Sequence, residues 1–195
     1  MATALKNLSE YNAATIPSGE GRCFVVIVAE WNEQVTNAMA EGAIQTLKEN
    51  GVKDEDILVC HVPGTFELTY AAARYAHSHL LIDGEREADA IICLGCVIQG
   101  ETRHFDFICE GVANGLSTIN AAGEIPVIFG VLTTDNLQQA LDRSGGRLGN
   151  KGVEAAVTAL KMTQYVPKRL TIDEINEICN RAAQEVAEEN KKSKK

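Results

Sequence analysis

The chain has 195 residues, 45% of them hydrophobic and 23% charged, with a formal net charge of −9. That length suits one core of ordinary size, the composition is that of a soluble globular domain, and the acidic balance excludes a general nucleic-acid binder while leaving room for a local basic site for a phosphorylated small molecule. No apolar run is long enough to span a bilayer and the N-terminus lacks an apolar signal core, so a cytoplasmic protein without membrane contact is the expectation.

Residues 1–21 are polar, with Pro17, Ser18, Gly19 and Gly21, and read as an arm that needs a partner to tie it down. Cys23–Ala29 is the first apolar run, a buried strand by composition. Val35, Met39, Ala43, Ile44 and Leu47 then recur at helical spacing until Asn50-Gly51, a pair suited to a helix C-cap. Trp31, the only tryptophan, falls on the turn between them, either as a packing residue or as a flat surface for a planar ligand.

Ile57–Val62 reads as the second strand. Pro63-Gly64 breaks it, and Thr65 opens a helix running to about His79. The charged segment Asp83–Asp89 is a solvated loop. Ala90–Leu94 is the third strand, and where it runs out the stretch Gly95–Asp106 begins. Phe105, Ile108, Val112 and Leu116 mark the helix that this stretch feeds. Ile125–Leu132 is the fourth strand, Thr133–Asn136 an N-cap set, and Leu137–Arg143 a short helix. A glycine-rich, basic segment, Gly145–Gly152, precedes a helix over Val153–Met162. Beyond Pro167, Thr171-x-x-Glu174 resembles a capping box for a last helix, and Asn190–Lys195 is a solvated charge run.

Strands and helices thus alternate, which predicts one α/β domain over 1–195: an arm (1–21), a core (22–166) and a C-terminal helix and tail (167–195). The core is a three-layer α-β-α arrangement, flavodoxin-like, with a four-stranded parallel sheet and right-handed crossovers. Ligands of such sheets bind at the carboxyl ends of the strands. Trp31, Gly64–Glu67 and Cys96–His104 all fall there. Donors for an anion are the amides of Gly100–Thr102, the Thr102 hydroxyl, Arg103, Arg143 and Arg147. His104 is the proton carrier of this loop, or a helix-start residue bonded to Asp106 or backbone. Cys93-Leu-Gly-Cys96 fits the letters of CxxC, but no second pair completes a zinc set, and buried reduced thiols are the simpler reading. The glycines form neither a dinucleotide fingerprint nor a Walker motif. From the residues alone, the chain is an α/β protein binding a planar, anionic or phosphorylated ligand.

Val62-Pro-Gly-Thr-Phe-Glu67, Leu94-Gly-Cys-Val-Ile98, Gly100-Glu-Thr-Arg-His-Phe-Asp106, Pro126–Thr134, Gln139-Ala140 and Asn150-Lys-Gly152 together resemble the lumazine synthase family, in the right order from about Cys23 to Tyr165. The resemblance implies condensation of 5-amino-6-(D-ribitylamino)uracil with 3,4-dihydroxy-2-butanone 4-phosphate, without metal or organic cofactor. It implies that Trp31 stacks on the pyrimidine, that Thr65, Phe66, Glu67, Cys96, Val97 and Ile98 hold the ribityl chain and uracil edge, and that Phe129 and Lys151 face the same substrate. It further implies phosphate binding by Glu101, Thr102 and Arg143, and proton transfer by His104. Phe129, Arg143 and Lys151 would come from a neighbouring subunit, and the N-terminal arm would pair with the neighbour's sheet. The implied assembly is a pentamer or a 60-subunit shell, with riboflavin synthase as a candidate partner. Two other classes stay open on the residues: a flavin- or lumazine-binding carrier without turnover, and a purely structural shell.

Overall fold

The protein, described by a computed structural model, is placed over residues 7, 9–77, 87–123 and 125–165. By its contacts it divides into two compact units, Met1–Gln164 and Tyr165–Lys195; of the second only Tyr165 is described. The expected capping box at Thr171, the tail, His79 and most of the Asp83–Asp89 loop lie outside the described residues.

The chain runs β1 (Phe24–Ala29), α1 (Glu33–Glu49), β2 (Ile57–Val62), α2 (Leu68–His77), β3 (Ala90–Ile98), α3 (His104–Ala122), β4 (Val127–Thr134), α4 (Leu137–Asp142), β5 (Ser144–Gly146), β6 (Gly149–Asn150) and α5 (Lys151–Met162). The four main strands are parallel in the order β2-β1-β3-β4, and β5 and β6 form a small antiparallel hairpin. All six residues of β1 are buried, because helices cover both faces of the sheet. Phe24, Val26 and Val28 pack with Val35, Met39 and Leu47 of α1 and with Ala155, Ala159 and Leu160 of α5. Val25 and Ile27 pack with Leu68 and Ala72 of α2 and with Val112 and Leu116 of α3.

Several boundaries differ from the expectation. β3 does not stop at Leu94 but continues through Gly95, Cys96 and Val97 to Ile98, in register with Val131–Thr134 of β4. Gly95 is not a breaker here. A Cβ at that position would lie 2.8 Å from Thr65 Cγ2 and 2.9 Å from Leu68 Cδ1, so the missing side chain lets the start of α2 sit close against the strand. α2 itself begins at Leu68, three residues after Thr65. β4 spans Val127–Thr134 rather than Ile125–Leu132, since the Asn120 side chain brackets its first residue: Val127 N donates to Oδ1 (2.8 Å) and Nδ2 donates to Val127 O (2.7 Å). Thr133 and Thr134 are therefore strand residues, and Asn136 alone caps α4, accepting from Gln139 N at 3.0 Å. The glycine-rich segment is the β5–β6 hairpin, and α5 starts at Lys151 because Asn150 Oδ1 caps it through Gly152 N (2.8 Å).

The described part of the arm carries a single 3-10 turn over Ala13–Thr15 and no strand. Ser9 Oγ donates to Asn150 O (3.0 Å) and also accepts a short hydrogen bond from Asn150 N. Among the described residues no helix is long and apolar enough to cross a membrane.

Candidate active site

At the carboxyl rim, a cleft of about 400 Å3 is lined by Trp31, Asn32, Thr65, Phe66, Glu67, Cys96, Val97, Ile98 and His104, with Gly64 and Ile108 completing the wall. The geometry of three strand ends produces it. β1 leans toward β2 as it finishes: Glu30 N donates to Val62 O (2.9 Å) and Trp31 N to Pro63 O (3.2 Å). This leaves the indole outside the core with 73% of its surface exposed, where its face is open to the cleft. Phe66, 53% exposed, stands over α3, where a Cβ at Gly111 would come within 2.9 Å of its ring.

β3 overshoots β1 by two rungs, since their register ends at Val28↔Leu94. Gln99 N bonds Thr134 O (2.8 Å), so alternate residues from Val97 backward address β4 and the residues between them address the β1 side. Cys96 and Ile98 therefore turn their N–H and C=O groups toward the cleft. Cys96 O accepts from Asn32 Nδ2 at 2.9 Å, with Thr65 Oγ1 a longer 3.5 Å away. The Cys96 thiol lies under this wall, and burial pushes it up to about 11. It is a neutral filler at neutral pH.

His104 is the first residue of α3 and lines the cleft; its amide is 3.4 Å from Thr102 Oγ1. Glu101 and Thr102 form the exposed turn ahead of it. Of the expected anion donors, Arg103 pairs with Asp106 (3.4 Å) and Arg147 with Asp142 (2.6 Å). Arg143 Nη1 donates to Leu148 O (2.8 Å) and stands 2.7 Å from Glu154 Oε1. Both internal contacts use one nitrogen of the guanidinium.

The cleft brings together eight of the expected residues from three strand ends and the start of α3, and its lining holds none of Phe129, Arg143 and Lys151. Phe129 and Lys151 line a separate groove of about 940 Å3 between β4 and α5, bordered by Ser9, Glu10 and Tyr11 of the arm. Lys151 Nζ is 3.4 Å from Glu154 Oε2, so Glu154 sits between both cations. Neither Asn32 nor Glu154 was singled out by sequence reasoning. Asn32 carried one signal, an asparagine immediately after a strand-to-helix turn, where a left-handed backbone is tolerated.

Cys93 and Cys96 belong to opposite faces of the sheet, Cys93 packing with α2 and α3 and Cys96 with α1. Three residues apart on a strand, they cannot chelate one ion or bridge each other. Among the described residues no group of three or more metal-ligating side chains converges.

The model of the family described as 6,7-dimethyl-8-ribityllumazine synthase matches residues 21–166. Relatives bearing that name include one from Porphyromonas gingivalis, 53% identical over 83% of this chain and 96% of its own length. Another, from Phocaeicola vulgatus, is 49% identical over 86% and 96%, and one from Parabacteroides distasonis is 50% identical over 85% and 99%. The chain belongs to this family.

Proposed function

We propose that the protein condenses 5-amino-6-(D-ribitylamino)uracil with 3,4-dihydroxy-2-butanone 4-phosphate to give 6,7-dimethyl-8-ribityllumazine, the penultimate step of riboflavin synthesis, without a cofactor. The observation that carries this reading is the cleft itself: an exposed indole faces strand-end N–H and C=O groups, with a histidine at its mouth. A uracil ring suits that pairing, because its face can stack on Trp31 while its amide edge hydrogen-bonds backbone.

In the proposed reaction the 5-amino group adds to the ketone and water leaves, forming an imine. Loss of the C3 proton then expels phosphate from C4, the resulting enol takes up a proton at C4 and becomes a new C3 carbonyl, and the ribityl-bearing nitrogen closes the ring on that carbonyl with loss of a second water. His104 moves the proton between these steps. Thr65, Phe66, Glu67, Cys96, Val97 and Ile98 hold the ribitylaminouracil, and the turn at Glu101 and Thr102 receives the phosphate.

Phe129, Lys151 and Arg143 complete the site from a neighbouring subunit. Phe129 and Lys151 lie in the β4–α5 groove, apart from the cleft, and Arg143 meets Glu154 of that groove, which supports a site shared between two copies. The proposed protein is thus a homo-oligomer, a pentamer or a 60-subunit shell. The free edge of the Arg143 guanidinium, Nε and Nη2, is the planar fork that a phosphate would use.

Incubating the purified full chain with both substrates tests the proposal. Phosphate release with the appearance of a product absorbing near the visible is expected, and no product at high protein concentration would overturn it. Sedimentation of the same sample measures the assembly; a monomer with full turnover would overturn the shared site.

A further inference from the structure

In a parallel ladder the donor that follows Ala29 on the β3 side of β1 is the amide of Trp31, and its acceptor would be Cys96 O. That rung is missing, because the Trp31 amide has turned to Pro63 O. Asn32 Nδ2 takes its place, 2.9 Å from Cys96 O. The replacement requires a left-handed backbone at Asn32 (φ 62°, ψ 44°), which among the described residues no other non-glycine residue adopts. Asn32 also feeds α1, its carbonyl accepting from Val35 N (2.8 Å) and Thr36 N (3.1 Å). One side chain thus ends a strand ladder and one carbonyl starts a helix, both at the wall of the cleft.

The next rung toward the rim is Ile98, which faces the same side and has no strand opposite it. We infer that Asn32 is a positioning residue: its amide substitutes for the last β1 rung and holds β3 so that Ile98 N–H and C=O form the rung completed by a planar cyclic amide, the ring of the pyrimidine substrate. The inference rests on the proposed reading of the cleft, and it gives Asn32 a specificity role in that reading. A ring presenting adjacent donor and acceptor extends the sheet; one presenting two acceptors meets Ile98 O unfavourably.

Asn32→Gly tests it, since glycine keeps the left-handed backbone and removes only the amide. Expected are a rise of roughly three- to tenfold in KM for the ribitylaminouracil, the effect of about one hydrogen bond, an unchanged KM for the butanone phosphate, and faster hydrogen exchange at the adjacent Gln99 amide, which bonds Thr134 O at the end of β3. An unchanged pyrimidine KM, or an equal rise in both KM values, overturns the inference. Asn32→Asp, the same shape with an oxygen set against Cys96 O, gives the same comparison should the glycine variant not fold. A wild-type protein that makes no lumazine would overturn the reading of the cleft; the exchange measurement still decides on Asn32, because unaltered protection at Gln99 in either variant excludes its role in holding the strand.

Discussion

Arg143 Nη1 stands 2.7 Å from Glu154 Oε1 yet donates its hydrogen bond to Leu148 O, so the contact with Glu154 is ionic and undirected. Both side chains are less than a fifth exposed, and Lys151 Nζ approaches the other carboxylate oxygen at 3.4 Å. Two cations around one carboxylate retain a net positive charge, which suits the phosphate of the proposed reaction. Arg143→Ala is expected to raise KM for the butanone phosphate by the worth of charged hydrogen bonds, about 1.5–3 kcal/mol, roughly tenfold to a hundredfold. It should also lower stability by about 1–2 kcal/mol, since Glu154 keeps only Lys151. Adding Glu154→Gln should restore stability without restoring KM. Steady-state kinetics and urea denaturation of the single and double variants separate the two effects, and an unmoved KM removes Arg143 from the anion site.

His104 opens α3 at the mouth of the cleft, where it can reach reacting atoms without serving the core. His104→Ala should reduce kcat by about 10²-fold or less, the lower end of the range for a general acid–base group, because imine condensation proceeds slowly without help. Unfolding midpoints should not move. Single-turnover measurement of phosphate release checks this, and a wild-type rate would leave the histidine as a helix-start residue only.

The strands were legible because each is a short apolar run bounded by turn residues, and β1, buried on both faces, shows no alternation to mislead. The end of β3 was not legible. Gly95 reads as punctuation until the space taken by Thr65 and Leu68 is known, and those residues are distant in sequence. The cleft residues could be named because they cluster at strand ends, where topology alone brings them together. Glu154 could not, since a glutamate in the first turn of an amphipathic helix looks like any dipole-compensating charge until Arg143 is found beside it. Asn32 was hidden for a related reason: its role is set by an amide that β1 fails to deliver, and only the register of two strands reveals that.

Gly152, beside Lys151 at the start of α5, is pressed onto α1, and a Cβ there would overlap the Met39 carbonyl. Backbone cannot yield as a flexible side chain does, so Gly152→Ala must push the two helices apart. A loss of about 1–3 kcal/mol or more is expected, together with weaker use of substrate, because Asn150 Nδ2 ties the same junction to Ala38 O at 2.8 Å. Gly100→Ala is the control, since nothing lies within 4 Å of its added methyl; it should change stability by no more than about 0.5 kcal/mol. Urea midpoints of the two variants measure the contrast, and equal values would show that the α1–α5 contact tolerates expansion.

The buried thiols set the alkaline limit of the fold. Burial raises Cys60, Cys93 and Cys96, the last to about 11, and for Cys60 this outweighs the lowering by its hydrogen bond with Tyr75. An unfolded cysteine ionises near 8.5. The folded state thus holds these protons more tightly than the unfolded chain, so their contribution to stability is complete below about pH 8.5 and is lost as pH rises through the folded values. Urea midpoints should accordingly be level from pH 7 to 8 and fall between pH 9 and 11, and Cys96→Ser should lessen that fall by removing one of the titrating groups. Alkylation of Cys96 should be slow at pH 7.5, because the thiolate is the reactive form. Midpoints independent of pH up to 11, or rapid modification of Cys96 at neutral pH, would mean that the wall behind the cleft admits water.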